Sequence, residues 1–332
     1  MSMRDRIDPD SRVPLEELLK VFPGGFNAIS NIVERRSTLE SVLQTMVADI
    51  PPNENVVTED REIPGLEDAP PVGVRVYRPK ATSGTLPGIF FIHGGGMIMG
   101  SVEGENLKAT ELCEAIQAVV VSVEYRLAPE HPHPAPVQDC YSALKWMAQN
   151  ADELAFDLDR LAVVGGSAGG GLTIATTMMA RDKGFPRICF QMPLYPMIDD
   201  RNETLSSYEI MDVGVWDRKG NVEAWQWYLG GNLADDYAAP ARAENLAGLP
   251  PTFIDVGELD LFRDEDIQFA ARLIQAGVPT ELHVYPGAYH ASEVFAPEAA
   301  LSKSILARRT EGLTTCAEVL SQPLSNQFLP IL

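Results

Sequence analysis

Leu161-Ala-Val-Val-Gly-Gly-Ser167-Ala-Gly-Gly-Gly-Leu-Thr-Ile-Ala-Thr-Thr-Met-Met-Ala180 is the stretch that decides how the chain folds. A short Val-rich apolar run meets glycines, one serine, more glycines, and then residues of helical composition. That order predicts a strand, a very tight turn and a helix, with Ser167 at the apex. Gly165-Gly166-Ser167-Ala168-Gly169 satisfies G-x-S-x-G, in which a serine on a strained strand-to-helix turn projects its hydroxyl clear of a sheet. A Gly-rich turn that opens a helix can also cradle phosphate. Against that, no Lys follows these glycines at P-loop spacing. The acidic residue a dinucleotide site needs about 20 positions later is only Asp182, at a helix end. The nucleophile reading therefore stands if partners for Ser167 exist elsewhere.

The surroundings alternate strand and helix. Val72-Gly-Val-Arg-Val-Tyr-Arg78 alternates in polarity, and Gly88 to His93, Val119 to Tyr125, Ile188 to Tyr195, Thr252 to Gly257 and Glu281 to Tyr285 are apolar strand material. Between them lie helical stretches at 106–118, 134–150, 168–180, 262–276 and 297–309. Buried strands between helices predict an α/β fold with a mostly parallel sheet covered on both faces. Two regions break the rhythm. Residues 1–50 read as helical without strands, and 197–235 are irregular before a helix that holds Trp225, Trp227 and Tyr228. The tail beyond Arg309 is left unassigned.

Composition narrows the function. The chain has 332 residues, 45% hydrophobic and 22% charged, as expected of a well-cored globular protein. Its 47 acidic and 26 basic residues give a net charge of −21, which repels phosphate backbones and anionic bilayers. Nucleic-acid and membrane-surface roles are therefore not expected. The charged N-terminus lacks a signal-peptide core, and no apolar stretch is long enough to span a membrane. Cys113, Cys140, Cys189 and Cys316 are scattered, with no C-x-x-C, and read as buried thiols in a reducing cytoplasm.

A serine hydroxyl needs a base, and histidine is the side chain that titrates in the right range. Of the five histidines, His93 precedes the glycines at 94–96, His131 and His133 sit in a proline-rich corner, and His283 is inside a strand. His290 lies just after the last strand, where catalytic groups of open α/β sheets gather, and is the candidate base. The acid should follow the preceding strand. Asp255 lies within it, and Asp264, Glu265 and Asp266 fall in the first turn of a helix, where acids favour the helix dipole. Asp260 lies just past the strand end and is the candidate to orient His290, with Asp264 and Glu258 as rivals. Backbone N–H groups of Gly95, Gly96 and Ala168 are candidates for the oxyanion hole. Met97, Trp216 and Trp225 are candidates for the substrate pocket, although aromatics at helical spacing also suit a plain core.

With these residues in view, the chain resembles the hormone-sensitive-lipase-like family of carboxylesterases from about Val72 to Glu293. The likeness rests on His93-Gly-Gly-Gly-Met, Tyr125-Arg-Leu-Ala-Pro-Glu-His-Pro-His-Pro-Ala135, Gly166-Ser-Ala-Gly-Gly170, Glu258-Leu-Asp-Leu-Phe-Arg-Asp-Glu265 and Pro286-Gly-Ala-Tyr-His290. It implies an eight-stranded α/β-hydrolase core over 51–196 and 236–332, with a cap built from 1–50 and 197–235. It also implies a cytoplasmic serine carboxylesterase that needs no cofactor or metal and cleaves small uncharged esters of short to medium acyl chain. A homodimer is left open. The rival readings are a non-catalytic small-molecule receptor on the same fold and an amidase or peptidase with the same triad. One departure stands out: the family usually has Asp or Thr before the nucleophile, and this chain has Gly166.

Overall fold

The computed structural model describes residues 3–82 and 84–319; the side chain of Cys316 and residues 320–332 lie outside the described set. The chain opens with helices α1 (Pro9–Val21) and α2 (Ile32–Val47). Asp8 and Asn31 cap them, each side chain accepting from backbone N–H groups of the first turn. Strands β1 (Val56–Ile63), β2 (Val72–Pro79) and β3 (Leu86–Ile92) follow, then α3 (Asn106–Ile116), β4 (Val119–Glu124), α4 (Ala135–Gln149) and the short α5 (Ala151–Leu154). Next come β5 (Phe156–Gly166), α6 (Ala168–Lys183), β6 (Phe190–Leu194), α7 (Leu205–Glu209) and α8 (Arg218–Leu229). The chain continues through β7 (Thr252–Leu259), α9 (Arg263–Gln275), β8 (Thr280–Tyr289), α10 (Ser292–Phe295) and α11 (Ala300–Val319). The last helix extends past Arg309, and β8 continues past Tyr285 through Pro286-Gly287 to Tyr289.

Among the described residues, eight strands form one sheet in the order β1-β2-β4-β3-β5-β6-β7-β8. The pairs β1–β2 and β2–β4 are antiparallel, and every later neighbour is parallel. Successive side chains alternate between faces. Phe90, Ile92 and Val163 therefore join a core cluster with Leu144 of α4 and Leu172 of α6, while Ile89, Phe91 and Val164 pack with Cys113 of α3 and Leu313 of α11. With both faces covered, the central strands carry continuous apolar runs rather than alternation.

The registers bring the chemistry together. Ile92 pairs with Gly165, so the glycines after β3 emerge beside the residues after β5. Gly166 pairs with Leu194, which places Ser167 next to Tyr195. Leu259 pairs with Tyr289, so the next residue of each strand, Asp260 and His290, leave the sheet side by side.

The N-terminal residues and the segment after β6 touch each other above these strand ends. Arg35, buried on α2, pairs with Glu223 of α8 at 2.7 Å. Asn27 Nδ2 donates to Asp217 Oδ1 at 3.3 Å, and Arg4 Nε donates to the Asp212 carbonyl at 3.0 Å. Arg36 ties α2 downward, donating to the carbonyls of Ile98 and Ala128, each at 2.7 Å.

Candidate active site

Ser167 sits between β5 and α6 with φ at +58°, a region that non-glycine residues rarely adopt. The surrounding glycines make that turn feasible. A Cβ on Gly169 would lie 2.2 Å from the Ile92 carbonyl oxygen, so no other residue lets the start of α6 approach β3 this closely. The Ser167 N–H donates to the Leu194 carbonyl at 2.9 Å and its own carbonyl accepts from Met197, fixing the elbow against the chain after β6.

His290 Nε2 lies 3.0 Å from Ser167 Oγ, and His290 Nδ1 lies 2.8 Å from Asp260 Oδ2. An ionised carboxylate can only accept, so Nδ1 carries the proton toward Asp260 and Nε2 is left to accept from the serine hydroxyl. Asp260 is fully buried and its Oδ1 accepts from the Phe262 N–H at 3.0 Å, which holds the carboxylate in place. The imidazole also meets Tyr195 and Phe262 edge-on, with ring centroids 5.0 and 5.3 Å away.

The rival residues are engaged elsewhere. Glu258 pairs with Arg6 and accepts from the Gly287 N–H. Asp264 accepts from the Ser206 N–H at 2.7 Å and pairs with Arg263. The expectation that the acids opening α9 merely serve its dipole is corrected for two of them. Glu265 is buried, accepting from the N–H groups of Ile198 and Asp199, and burial pushes its carboxyl up. Asp266 is buried with neither oxygen hydrogen-bonded among the described residues, and burial and neighbouring carboxylates push it well up. His93 stacks on Tyr125 at 4.1 Å, and His133 pairs with Asp235 at 3.1 Å, both in structural settings.

Gly94, Gly95 and Gly96 line the same cleft as Ser167 and His290. The Gly94 N–H is held by Glu105 Oε1 at 2.9 Å, while Gly95 and Gly96 have φ of +112° and +66°. That backbone needs glycine, and a Cβ on Gly96 would also strike the Trp216 ring at 2.4 Å. Ala168, the first residue of α6, contributes an N–H at the positive end of the helix dipole.

The cleft holds about 750 Å³, its mouth included. Apolar side chains of Phe26, Leu39, Leu43, Val215 and Trp216 close it from above. Of the three pocket candidates, only Trp216 is there. Met97 and Trp225 are corrected to the core: Met97 has φ of +62° and is 1% exposed, and Trp225 is 2% exposed and packs on Tyr228 at 5.8 Å. The sequence reading missed Phe26, Leu39 and Leu43, since apolar residues on a helix give no sign of which cavity they face. It also missed a buried cluster beside His290, in which Arg309 of α11 pairs with Asp255 at 2.7 Å and with Glu293 at 2.6 Å. Among the described residues, no group of three or more His, Cys, Asp or Glu side chains is placed to hold a metal ion.

A family model described as the alpha/beta hydrolase fold matches residues 89–294. Carboxylesterase NlhH of Mycobacterium tuberculosis is 37% identical over 296 residues, covering 87% of this chain and 90% of the relative. Esterase LipI of the same organism is 38% identical over 239 residues, covering 70% of this chain and 75% of that protein. Among solved structures, a bacterial heroin esterase superposes with a TM-score of 0.90 at 37% identity, covering 95% of this chain and 99% of the other. The shared sheet, the elbow and the extent of these matches place the chain in the alpha/beta hydrolase family, among hormone-sensitive-lipase-like carboxylesterases.

Proposed function

We propose that this chain is a serine carboxylester hydrolase that cleaves small uncharged esters of short to medium acyl chain through an acyl-enzyme. The observation that carries the reading is the continuous line Ser167 Oγ–His290–Asp260, with steps of 3.0 and 2.8 Å, at the floor of an apolar cleft. Ser167 attacks the ester carbonyl as His290 Nε2 takes its proton. Asp260 keeps His290 in the required tautomer and stabilises the imidazolium. The N–H groups of Gly95, Gly96 and Ala168 bind the oxyanion, and His290 then returns the proton to the departing alcohol. Water repeats the sequence to release the acid.

Residues 1–50 and 197–235 act in this reading as a cap whose apolar side chains seat the acyl or alcohol group. The apolar lining favours uncharged ligands. Among the described residues, no helix is long and apolar enough to cross a membrane. Cys113 and Cys140 are buried free thiols, which fits a reducing cytoplasm.

The test is a hydrolysis screen over p-nitrophenyl esters of increasing acyl length, with Ser167→Ala as control. The variant should lose on the order of 10⁵–10⁶ in kcat, the scale of nucleophile loss in another serine hydrolase. Near-wild-type turnover by it would sink the assignment. A purely ligand-binding protein would turn over none of the esters, and preference for the matching anilides would favour an amidase.

A further inference from the structure

Behind His290 lies a buried polar chain that the proposed reaction does not use. The Tyr195 hydroxyl donates to Glu293 Oε1 at 2.6 Å. Arg309 Nη1 donates to the same oxygen at 2.6 Å, and its Nε and Nη2 donate to the two oxygens of Asp255 at 2.7 and 3.1 Å. The guanidinium carbon stands 5.2 Å from the Tyr195 ring centroid. All four residues are at most 6% exposed. Burying this much polarity is costly unless every partner is satisfied, so the cluster marks a place where geometry is specified.

Its outer end is the Tyr195 ring, edge-on to His290 at 5.0 Å and 68°. Tyr195 holds a left-handed backbone with φ of +34°, a strained state for an aromatic residue. Its N–H donates to the Asp255 carbonyl at 2.6 Å, so the cluster secures both its backbone and its side chain. Phe262 also meets the imidazole edge-on, at 5.3 Å and 78°. Burial opposes the charge on Glu293, yet Arg309, Lys108 and the Tyr195 hydroxyl hold its carboxyl down at about 2.

Gly166 completes the picture. A Cβ there would lie 3.2 Å from the Tyr195 ring and 3.3 Å from its hydroxyl oxygen. An Asp at 166 would thus offer its carboxylate to the hydroxyl that Glu293 now accepts from.

We propose that Tyr195, Glu293 and Arg309 are positioning residues for the His290 imidazole, with the carboxylate that anchors Tyr195 supplied by Glu293 instead of the residue before the nucleophile. The proposal rests on the reading of His290 as the base. The network holds the ring that keeps Nε2 aimed at Ser167 Oγ, so its loss lowers kcat while leaving the apolar substrate contacts, and hence KM, in place.

The test compares kcat and KM for p-nitrophenyl butanoate across Tyr195→Phe, Glu293→Gln, Gly166→Asp and the double variant Gly166→Asp/Glu293→Gln. Thermal unfolding of each is measured alongside. Tyr195→Phe keeps the ring and the Glu293–Arg309 pair, so it tests the anchor even if Glu293→Gln fails to fold. Tyr195→Phe and Glu293→Gln should each lose about 10–100-fold in kcat with KM within about threefold, because a catalytic group misplaced by about 1 Å costs on that order. Gly166→Asp alone should lower activity, since two carboxylates then compete for one hydroxyl. In the double variant it should recover at least about fivefold of the lost kcat, the hydroxyl again having an ionised acceptor. Wild-type kcat in Tyr195→Phe, or no recovery in a folded double variant, would overturn the proposal. If Ser167→Ala were also fully active, the hydrolase reading itself would fail; if Ser167→Ala were dead and Tyr195→Phe unaffected, only the positioning role would.

Discussion

The floor of the cleft and its roof are built on different principles. The floor is polar and fixed by backbone: Ser167, Asp260 and His290 each follow directly from a sheet strand, and the pairing of Leu259 with Tyr289 determines where two of them emerge. The roof is apolar and held by side chains. Arg35–Glu223 and Asn27–Asp217 join its two pieces, and Phe26, Leu39, Leu43, Val215 and Trp216 face the cleft without a hydrogen bond to the triad. A rigid sheet can hold a reacting geometry to fractions of an ångström, which chemistry requires. Apolar packing tolerates substitutions of similar volume, which suits selection among ligands. Chemistry should therefore be lost in the floor and selectivity altered in the roof.

The largest break in that contrast after nucleophile removal is Asp260→Asn. An amide can donate to Nδ1 and so favour the wrong tautomer, and kcat should fall by about 10⁴, as for the equivalent change in another triad enzyme. A loss below about tenfold, measured with a soluble p-nitrophenyl ester, would remove Asp260 from the triad. Gly96→Ala probes the seam between floor and roof. Its methyl meets both a positive φ and the Trp216 ring, so kcat should drop by about 10²–10³, the scale of one lost oxyanion donor. An unchanged kcat would mean that the loop at Gly96 absorbs the methyl without moving the donor.

Trp216 and Trp225 sharpen the comparison within the roof. Trp216→Ala should change KM and acyl-chain preference by about 10–200-fold, the value of a methylene in an apolar pocket. Trp225→Ala should leave KM alone and cost about 3–5 kcal/mol of stability, because it empties a core site. Both residues are buried, so denaturant unfolding should show a loss in each, and a substrate series separates the two; an acyl-chain shift in Trp225→Ala alone would reverse the assignments.

The smallest effect concerns two buried carboxyls with opposite settings. Glu293 is ion-paired and its folded value is lowered to about 2. Its contribution is therefore present above the unfolded value of 4.5 and is lost as pH falls from there through about 2. Asp266 is raised, so the folded state loses stability as pH climbs from the unfolded value of 3.8 toward the higher folded value, and the loss then levels off. Asp266→Asn should gain on wild type by a few degrees in Tm as pH rises above about 4. A difference that stays constant with pH would show that Asp266 does not titrate on folding.

The same contrast explains what was legible in the sequence. The elbow, the glycines at 94–96, Asp260 and His290 could be found because each sits at a strand end, and strand ends follow from local hydrophobic runs and turn chemistry. Their distances followed from registers that the sequence does not state. Trp225 and Trp216 looked alike as sequence, and both are buried in the core, yet only Trp216 also lines the cleft, since that outcome depends on how two distant segments pack. Arg309 lay in a stretch read only as the end of a closing helix. Its partners, Asp255 and Glu293, are joined to it by tertiary packing, and a charged residue in a helical pattern gives no sign of burial. Gly166 was visible as a departure, but its meaning depends on Tyr195, the residue after its register partner Leu194.

The central claim is that Ser167 is a nucleophile activated by His290. Intact-protein mass spectrometry after brief exposure to a fluorophosphonate tests it most directly. The wild type should gain one adduct, mapped to Ser167, while Ser167→Ala and His290→Ala should gain none on that timescale. An unlabelled wild type that still hydrolyses esters, or an adduct on another residue that persists in Ser167→Ala, would contradict the account.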